Sequence, residues 1–359
     1  MEGEKPSSAT FPILSYELDK CIRKSYRGGW TYCNPKFQGK AIKNGIVLDV
    51  NSLYPSVLYN KMLPMGYPVH YQGKYEKDDL YPLYVQRIIC RFTIKPYHLP
   101  ILQLKNNLRF QATEYLEHDD GDPVDITLTS VDLALFHSHY DVEIIEYIEG
   151  WKFRASNDIF KSYIDKWMKT KAENKNGNRS LYMFAKLMLN ALYGKFGLRP
   201  DVRSKYPYLK DDGSIGYHSG EDEVRDPIYI PIATFTTAYA REVTIRAAQS
   251  LYDRFLYADT DSLHLKGEQV PNNIEIHPTN LGAWDLEKHF TRAKFLHAKC
   301  YVEETDGKLS VTIAGLPEDA ALEVTWNNFK PGATFKGKLV PKHVPGGISL
   351  QPIDFTIKI

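Results

Sequence analysis

The stretch FLYADTDSLHL, residues 255–265, is an apolar run interrupted by two aspartates one residue apart, Asp259 and Asp261. Desolvating an unpaired carboxylate costs several kcal/mol, so a buried strand does not carry two of them without compensation. If the stretch is one strand, residues i and i+2 share a face, and both acids point one way with Cα atoms ~6.5–7 Å apart. A third acid, Asp49, stands near the end of a second apolar run, GIVLDV at 45–50. Acids at the ends of apolar strands reach a shared site at the rim of a sheet. Converging carboxylates there call for a cation.

The donor chemistry narrows which cation. Three carboxylates without a nearby histidine or cysteine suit Mg²⁺ or Mn²⁺ over zinc. Two such ions ~3.5–4 Å apart clamp the attacking and leaving oxygens of a phosphoryl transfer. Taken alone, the acids read more readily as three unrelated turn caps, and their partners decide the matter. Cys21, Cys33, Cys90 and Cys300 form no C-x-x-C pair and read as free core thiols, and His137 and His139 as structural or surface residues. The 359 residues exceed one ordinary domain, and the absence of an ~18-residue apolar run or a signal-peptide start leads us to expect a cytosolic protein.

The net charge of +1 conceals a segregation. Residues 112–149 hold 11 Asp or Glu and no Lys or Arg, whereas residues 152–205 hold 13 Lys or Arg against 4 acids. A polyanion-binding groove beside a repelling acidic lobe accounts for this, and solvated faces remain the alternative. Along the chain, Ile46–Val50 reads as a buried strand followed by a helix whose first turn includes Pro55. Residues 61 to about 150 read as mostly β, and residues 157–196 as two antiparallel helices, the first capped by Asn157 or Asp158. Residues 197–226 read as an exposed hairpin, residues 228–255 as a short strand then a helix, and the last ~45 residues as a small separate subdomain.

On the helix KLMLNALYGKF, Lys186, Asn190 and Tyr193 are spaced i, i+4, i+7 and share a face, with Arg179 seven residues before Lys186. Such a stripe can grip a triphosphate and offer a ring to a base. Gly194 after Tyr193 weakens the helix and permits another chain to approach.

DVNSLYPSVL, KLMLNALYGKF and YADTDS together resemble motifs A, B and C of the B-family DNA polymerases, in order and separation. YRGG (Tyr26–Gly29), TTAYAR ending at Arg241, and KCY (Lys299–Tyr301) resemble the extra motifs of the protein-primed branch of bacteriophages and adenoviruses. The resemblance runs from about Phe11 to VPGGISL. It implies an α+β right-hand fold, with palm, fingers and thumb, an antiparallel palm sheet and two insertions. The expected parts are a first palm part with motif A in 1–60, an insertion at 61–158 and fingers at 159–196. A hairpin insertion at 197–226, a second palm part at 227–315 and a thumb at 316–359 complete the hand. The acidic stretch should face away from duplex DNA.

The resemblance further implies Asp49 and Asp261 as principal ligands of two Mg²⁺ (or Mn²⁺) ions, with Asp259 supporting and the Val50 carbonyl contributing. Tyr54 would exclude a 2′-hydroxyl, Lys186 hold the triphosphate, and Asn190 and Tyr193 line the nascent pair. Lys299 and Tyr301 would steady the primer, Thr237 and Arg241 contact DNA backbone, and Tyr26, Gly28 and Gly29 touch the template. The implied partners are primer-template DNA, dNTPs and a terminal (priming) protein, with a monomer as the default state and the host cytoplasm as the place of action. Family members carry an N-terminal exonuclease domain; only 48 residues precede Asp49 here, holding one ELD (Glu17, Asp19). Proofreading is therefore expected to be absent and strand displacement weak. The rival readings are a reverse transcriptase or RNA polymerase, against which D-T-D and Tyr54 count, a metal-dependent hydrolase, which lacks an activating base, and an inactive remnant that binds DNA or a priming protein.

Overall fold

The computed structural model describes residues 9–103, 115–344 and 347–358; residues 112–114 of the acidic stretch, and Pro345 and Gly346 of VPGGISL, lie outside them. α1 (Tyr16–Arg23) starts at Ser15, whose hydroxyl accepts the Leu18 N–H, and leads through Tyr26–Gly29 into β1 (Thr31–Cys33). β2 (Ile42–Val50) delivers Asp49, and the chain turns at Ser52, φ 53°, into α2 (Leu53–Asn60) with Pro55 in its first turn. β3 (Leu63–Gln72), β4 (Leu83–Ile94), β5 (Leu102–Gln103), β6 (Tyr115–Leu116) and β7 (Val124–Thr129) follow. They bear out a mostly β segment, but SVDLALFHSH folds as α3 (Ser130–His139), capped by the Thr129 hydroxyl accepting the Asp132 N–H. β8 (Tyr140–Ser156) then completes a four-stranded sheet in the order β3-β8-β4-β7.

The basic region forms α4 (Lys161–Glu173) and α5 (Arg179–Phe196). Phe160, not Asn157 or Asp158, occupies the α4 cap position; Asp158 instead pairs with Lys161 at 2.8 Å. β9 (Asp201–Leu209) and β10 (Ile215–Val224) make an exposed two-stranded hairpin. The strand expected after residue 228 is absent: the chain enters α6 (Ile230–Ser250) directly, with Pro231 in the first turn. Its β-branched start favours a strand locally, but the helix is central and buried over most of its 21 residues, so packing overrides propensity. Its first half joins the core of β3, α4 and α5 through Ile232, Phe235 and Ala238; its second half joins the main-sheet core through Ala240, Ile245 and Ala248.

β11 (Phe255–Asp259), β12 (Ser262–Lys266), β13 (Trp284–His297), β14 (Cys300–Thr305) and β15 (Lys308–Ile313) build the main sheet with the first two strands. Its order is β1-β11-β12-β2-β13-β14-β15, and every ladder is antiparallel. The last elements are α7 (Glu318–Ala321), β16 (Thr334–Val344) and β17 (Gly347–Thr356). This segment shares an apolar cluster with β14, in which Val324, Phe329 and Phe335 pack with Cys300 and Val302.

Gly45 lets both neighbouring strands pack closely against β2. A Cβ there would land on the Phe290 ring and the Leu265 carbonyl, one on each neighbouring strand. Overpacking of this kind costs about 1–3 kcal/mol. We expect Gly45→Ala to lower the urea midpoint accordingly without changing the slope of the transition; an unchanged midpoint would show that the sheet yields at this point.

Candidate active site

Sheet register brings two acids together. Asp49 on β2 lies opposite Ser262 on β12 and Asp285 on β13. Asp261 precedes Ser262, and its carbonyl accepts the Val50 N–H at 2.8 Å. Burial pushes the Asp49 carboxyl up to about 7, and the nearby Asp261, Glu287 and Asp285 add to the effect while Lys186 opposes it. Burial likewise raises Asp261. The pair is therefore a site short of positive charge.

The D-T-D stretch is a hairpin turn and not one strand, which corrects the expected same-face pairing. Asp259 ends β11 and pairs with Ser262, while Thr260 adopts φ 63° and Asp261 N–H donates to the Asp259 carbonyl at 2.7 Å. The turn is pinned from outside: Thr260 N–H donates to the Trp30 carbonyl at 2.9 Å and Thr244 Oγ1 to the Thr260 carbonyl at 2.7 Å. Asp259 accepts Lys299 Nζ at 2.9 Å on both oxygens and Thr31 Oγ1 at 3.0 Å. Among the described residues no three His, Cys, Asp or Glu side chains group closely enough to hold an ion, so the expected three-carboxylate convergence reduces to Asp49 and Asp261. That donor set still fits Mg²⁺ or Mn²⁺, which bind through one or two carboxylates completed by water and substrate phosphate.

Across from the acids lies an excess of cations. Lys186 is exposed on α5, near enough to influence Asp49. Lys171 on α4, which sequence reasoning missed, is half-buried with Nζ 3.4 Å from Ser52 Oγ. Burial lowers its pKa, and the neighbouring Lys186 and Lys175 lower it further. Asn51, Ser52, Lys171, Lys175 and Tyr182 line a cavity of about 210 Å³. The only sequence signal for Lys171 was the basic density of its helix. Tyr54 and Tyr193 stack at 4.0 Å between centroids, and burial, then Tyr193, raises the Tyr54 hydroxyl. Asn190 is exposed on the same helix, and Arg179 opens it, about 10 Å along the axis from Lys186. Among the described residues no atom approaches within 4 Å of a Cβ built on Gly194.

Two expectations about DNA contacts are corrected. Thr237 and Arg241 are 1% and 4% exposed, so neither offers a surface to a DNA backbone in this structure. Thr237 Oγ1 donates to the Ala233 carbonyl at 3.1 Å within its own helix. Arg241 forms a bidentate pair with Asp132 of α3 and donates to the Arg27 and Gly28 carbonyls, both at 2.7 Å. It thus shapes the Tyr26–Gly29 loop from beneath. Gly28 is exposed and Tyr26 and Gly29 are half-buried, and a Cβ on Gly29 would come 2.7 Å from the Thr260 side chain. Lys299, in the turn before β14, reaches the acids through Asp259, and Tyr301 follows on β14, near enough to feel Asp259.

Comparison with known proteins places the whole chain. The family described as DNA polymerase type B, organellar and viral, matches residues 2–278. The chain belongs to that family. It is 46% identical to the DNA polymerase of Bacillus phage Nf over 99% of its length and 65% of that protein's. It is 36% identical to the DNA polymerase of Streptococcus phage Cp-1 over 97% of its length and 62% of that protein's. The ternary complex of phi29 DNA polymerase with primer-template DNA and incoming nucleotides superposes with a TM-score of 0.91 at 44% identity, covering 98% of this chain and 64% of that one. The fold is that of a right-hand polymerase, and the chain spans about two-thirds of the length of these relatives.

Two outcomes follow from the electrostatics. The folded Asp49 pKa, about 7, lies above its ordinary 3.8, so its contribution to stability is full below about pH 4 and lost as pH rises through 7. Metal-free Asp49→Asn should be more stable than the parent at pH 8, by on the order of 1 kcal/mol after solvent screening, with the gap closing toward pH 5. Thermal melts in EDTA across that range check it; a gap independent of pH would contradict it. Asp132→Ala leaves the Arg241 guanidinium buried without its counter-charge and should cost about 3–5 kcal/mol in urea unfolding.

Proposed function

We propose that this chain is a template-directed DNA polymerase that transfers a nucleotidyl group from a dNTP to a primer 3′-hydroxyl, or to a hydroxyl of a priming protein, in phage-type DNA replication. The observation that carries the reading is the adjacency of opposite deficits: Asp49 and Asp261 want positive charge, Lys171 and Lys175 line a cavity that wants negative charge, and Lys186 lies near enough to influence both Lys171 and Asp49. A divalent-cation complex of a nucleoside triphosphate supplies both.

In this reading the seven-stranded sheet is the palm, α4 and α5 are the fingers, and the last segment is the thumb. Asp49 and Asp261, with the Val50 carbonyl, would hold two Mg²⁺ or Mn²⁺ ions, which when bound lower the charge cost at the attacking and leaving oxygens. The primer oxygen bonds to the α-phosphorus as pyrophosphate departs, and the hydroxyl proton is lost to solvent. Lys171 and Lys186 hold the departing phosphates, with Arg179 toward the outer end of the helix. The Tyr54 ring, braced by Tyr193, lies under the sugar and leaves no room for a 2′-hydroxyl, while Asn190 and Tyr193 border the base pair. Lys299 and Tyr301 steady the primer, and Asp259 holds Lys299 in place for it. The Tyr26–Gly29 loop meets the template, with Thr237 and Arg241 acting on DNA only through that loop. The phi29 polymerase complex with primer-template and nucleotide supports these placements by its likeness to this chain.

An inactive polymerase remnant that binds DNA or a terminal protein is the second reading. Extension of a 5′-labelled primer by dNTPs with Mg²⁺, beside Asp261→Ala, separates the two. We expect extension by the parent and at least a 10³-fold loss in the variant, in line with removal of a main electrostatic stabiliser; binding without extension under either metal would select the remnant. Tyr54→Val should incorporate ribonucleotides at least about tenfold better than the parent relative to dNTPs, and no gain would remove Tyr54 from the gate.

A further inference from the structure

β12 and β14 carry a buried histidine–carboxylate pair that the proposed mechanism leaves unused. His264 is 2% exposed and Glu303 0%. The imidazole Nδ1 lies 2.6 Å from Glu303 Oε1, and Lys288 Nζ lies 2.8 Å from Oε2. Burial alone would push the Glu303 carboxyl up; the imidazole and the Lys288 ammonium outweigh it and hold the carboxyl below its ordinary range. As a stabilising device this is a poor choice, since an apolar pair of similar volume commonly holds a core as well or better.

Its location gives it a use. The His264 ring sits among Tyr257, Phe295 and Tyr301, with centroids 5.2, 5.4 and 5.1 Å away. The Tyr257 hydroxyl accepts the Lys299 N–H at 2.8 Å, and Tyr257 and Tyr301 lie 5.0 Å apart. Lys299 itself is held at φ 55°, a left-handed conformation that non-glycine residues avoid, and its carbonyl accepts the Ala314 N–H at 2.8 Å. The strained residue is thus supported through rings that His264 touches.

We propose that His264 and Glu303 are positioning residues: their hydrogen bond fixes the Tyr257–Tyr301 ring pair and, through it, the left-handed Lys299 that holds the primer strand. The proposal rests on the reading of Lys299 and Tyr301 as primer contacts. Neither His264 nor Glu303 touches substrate.

The test compares Glu303→Leu, which has similar size and no acceptor, with Glu303→Gln, which keeps one. Fluorescence anisotropy reads binding of a duplex with a recessed 3′ end and, separately, of the single-stranded template. We expect Glu303→Leu to weaken duplex binding about tenfold and leave single-strand binding unchanged, with Glu303→Gln within about twofold of the parent. In extension assays the KM for primer-template should rise and the KM for dNTP stay. Parental duplex affinity in a folded Glu303→Leu, an equal loss for single strands, or a Glu303→Gln defect as large as that of Glu303→Leu would each overturn the proposal. If Glu303→Leu gives no cooperative urea transition, His264→Phe and His264→Gln make the same comparison from the donor side. A parent that binds duplex without extending it would sink the polymerase reading, while the binding ratios would still decide this one.

Discussion

Asp49 and Asp261 repel each other, and hydrogen bonds between backbone strands hold them together regardless. β2 and β12 are neighbours in the sheet, and the Val50 N–H bond to the Asp261 carbonyl fastens the two acid-bearing segments at that point. The sheet can impose this because its apolar residues, among them Ile46, Leu48, Leu263 and Leu265, are fully buried around the site. Burial of such side chains contributes roughly 1.5–3 kcal/mol each, enough in sum to hold an electrostatically unfavourable rim in place. The acids remain short of a counter-charge until a ligand brings it. In the proposed reading, metal and triphosphate binding would be favoured by the same repulsion that makes the free site costly.

The other constraint is Arg241. A guanidinium buried in the central helix is tolerable because Asp132 accepts it bidentately and two loop carbonyls take its remaining donors. One side chain thereby joins three parts of the chain: the loop before β1, the helix α3 from the acidic region, and α6. The same loop presses Gly29 against Thr260, so the turn that carries Asp259 and Asp261 is braced by a network reaching into the acidic lobe. Lys299 braces it from the opposite side through Asp259. The turn is held from both flanks, as a site that must keep two carboxylates aimed requires.

Several parts of this were legible in the sequence. Asp49 at the end of an apolar run, the helical stripe of Lys186, Asn190 and Tyr193, and the Asp-Gly hairpin after residue 200 each carry local signatures, in strand burial, helix period and turn chemistry. The misreadings have local causes too. Asp259 and Asp261 look like a strand pair because period-2 spacing cannot register a left-handed Thr260 between them. The β-branched opening of α6 looks like a strand because propensity cannot anticipate a helix buried over most of its length. Arg241 looks like a backbone contact because a charged side chain defaults to the surface unless its partner is known, and Asp132 lies 109 residues away.

The sequence by itself determined which chemistry the chain can offer: oxygen donors without soft ligands, lysines on a helix, a tyrosine after the motif A acid, and apolar strands able to bury a sheet. These follow from residue type and short-range period, which act over a few residues. Only the tertiary structure decided the allocation. It gave Asp259 to Lys299 and left Asp261 facing Asp49, buried Arg241 under the loop, brought Lys171 to Ser52, and set His264 against Glu303. Each of these is a contact between segments far apart in the chain, chosen by strand register and helix packing, and none is written in any single stretch of residues.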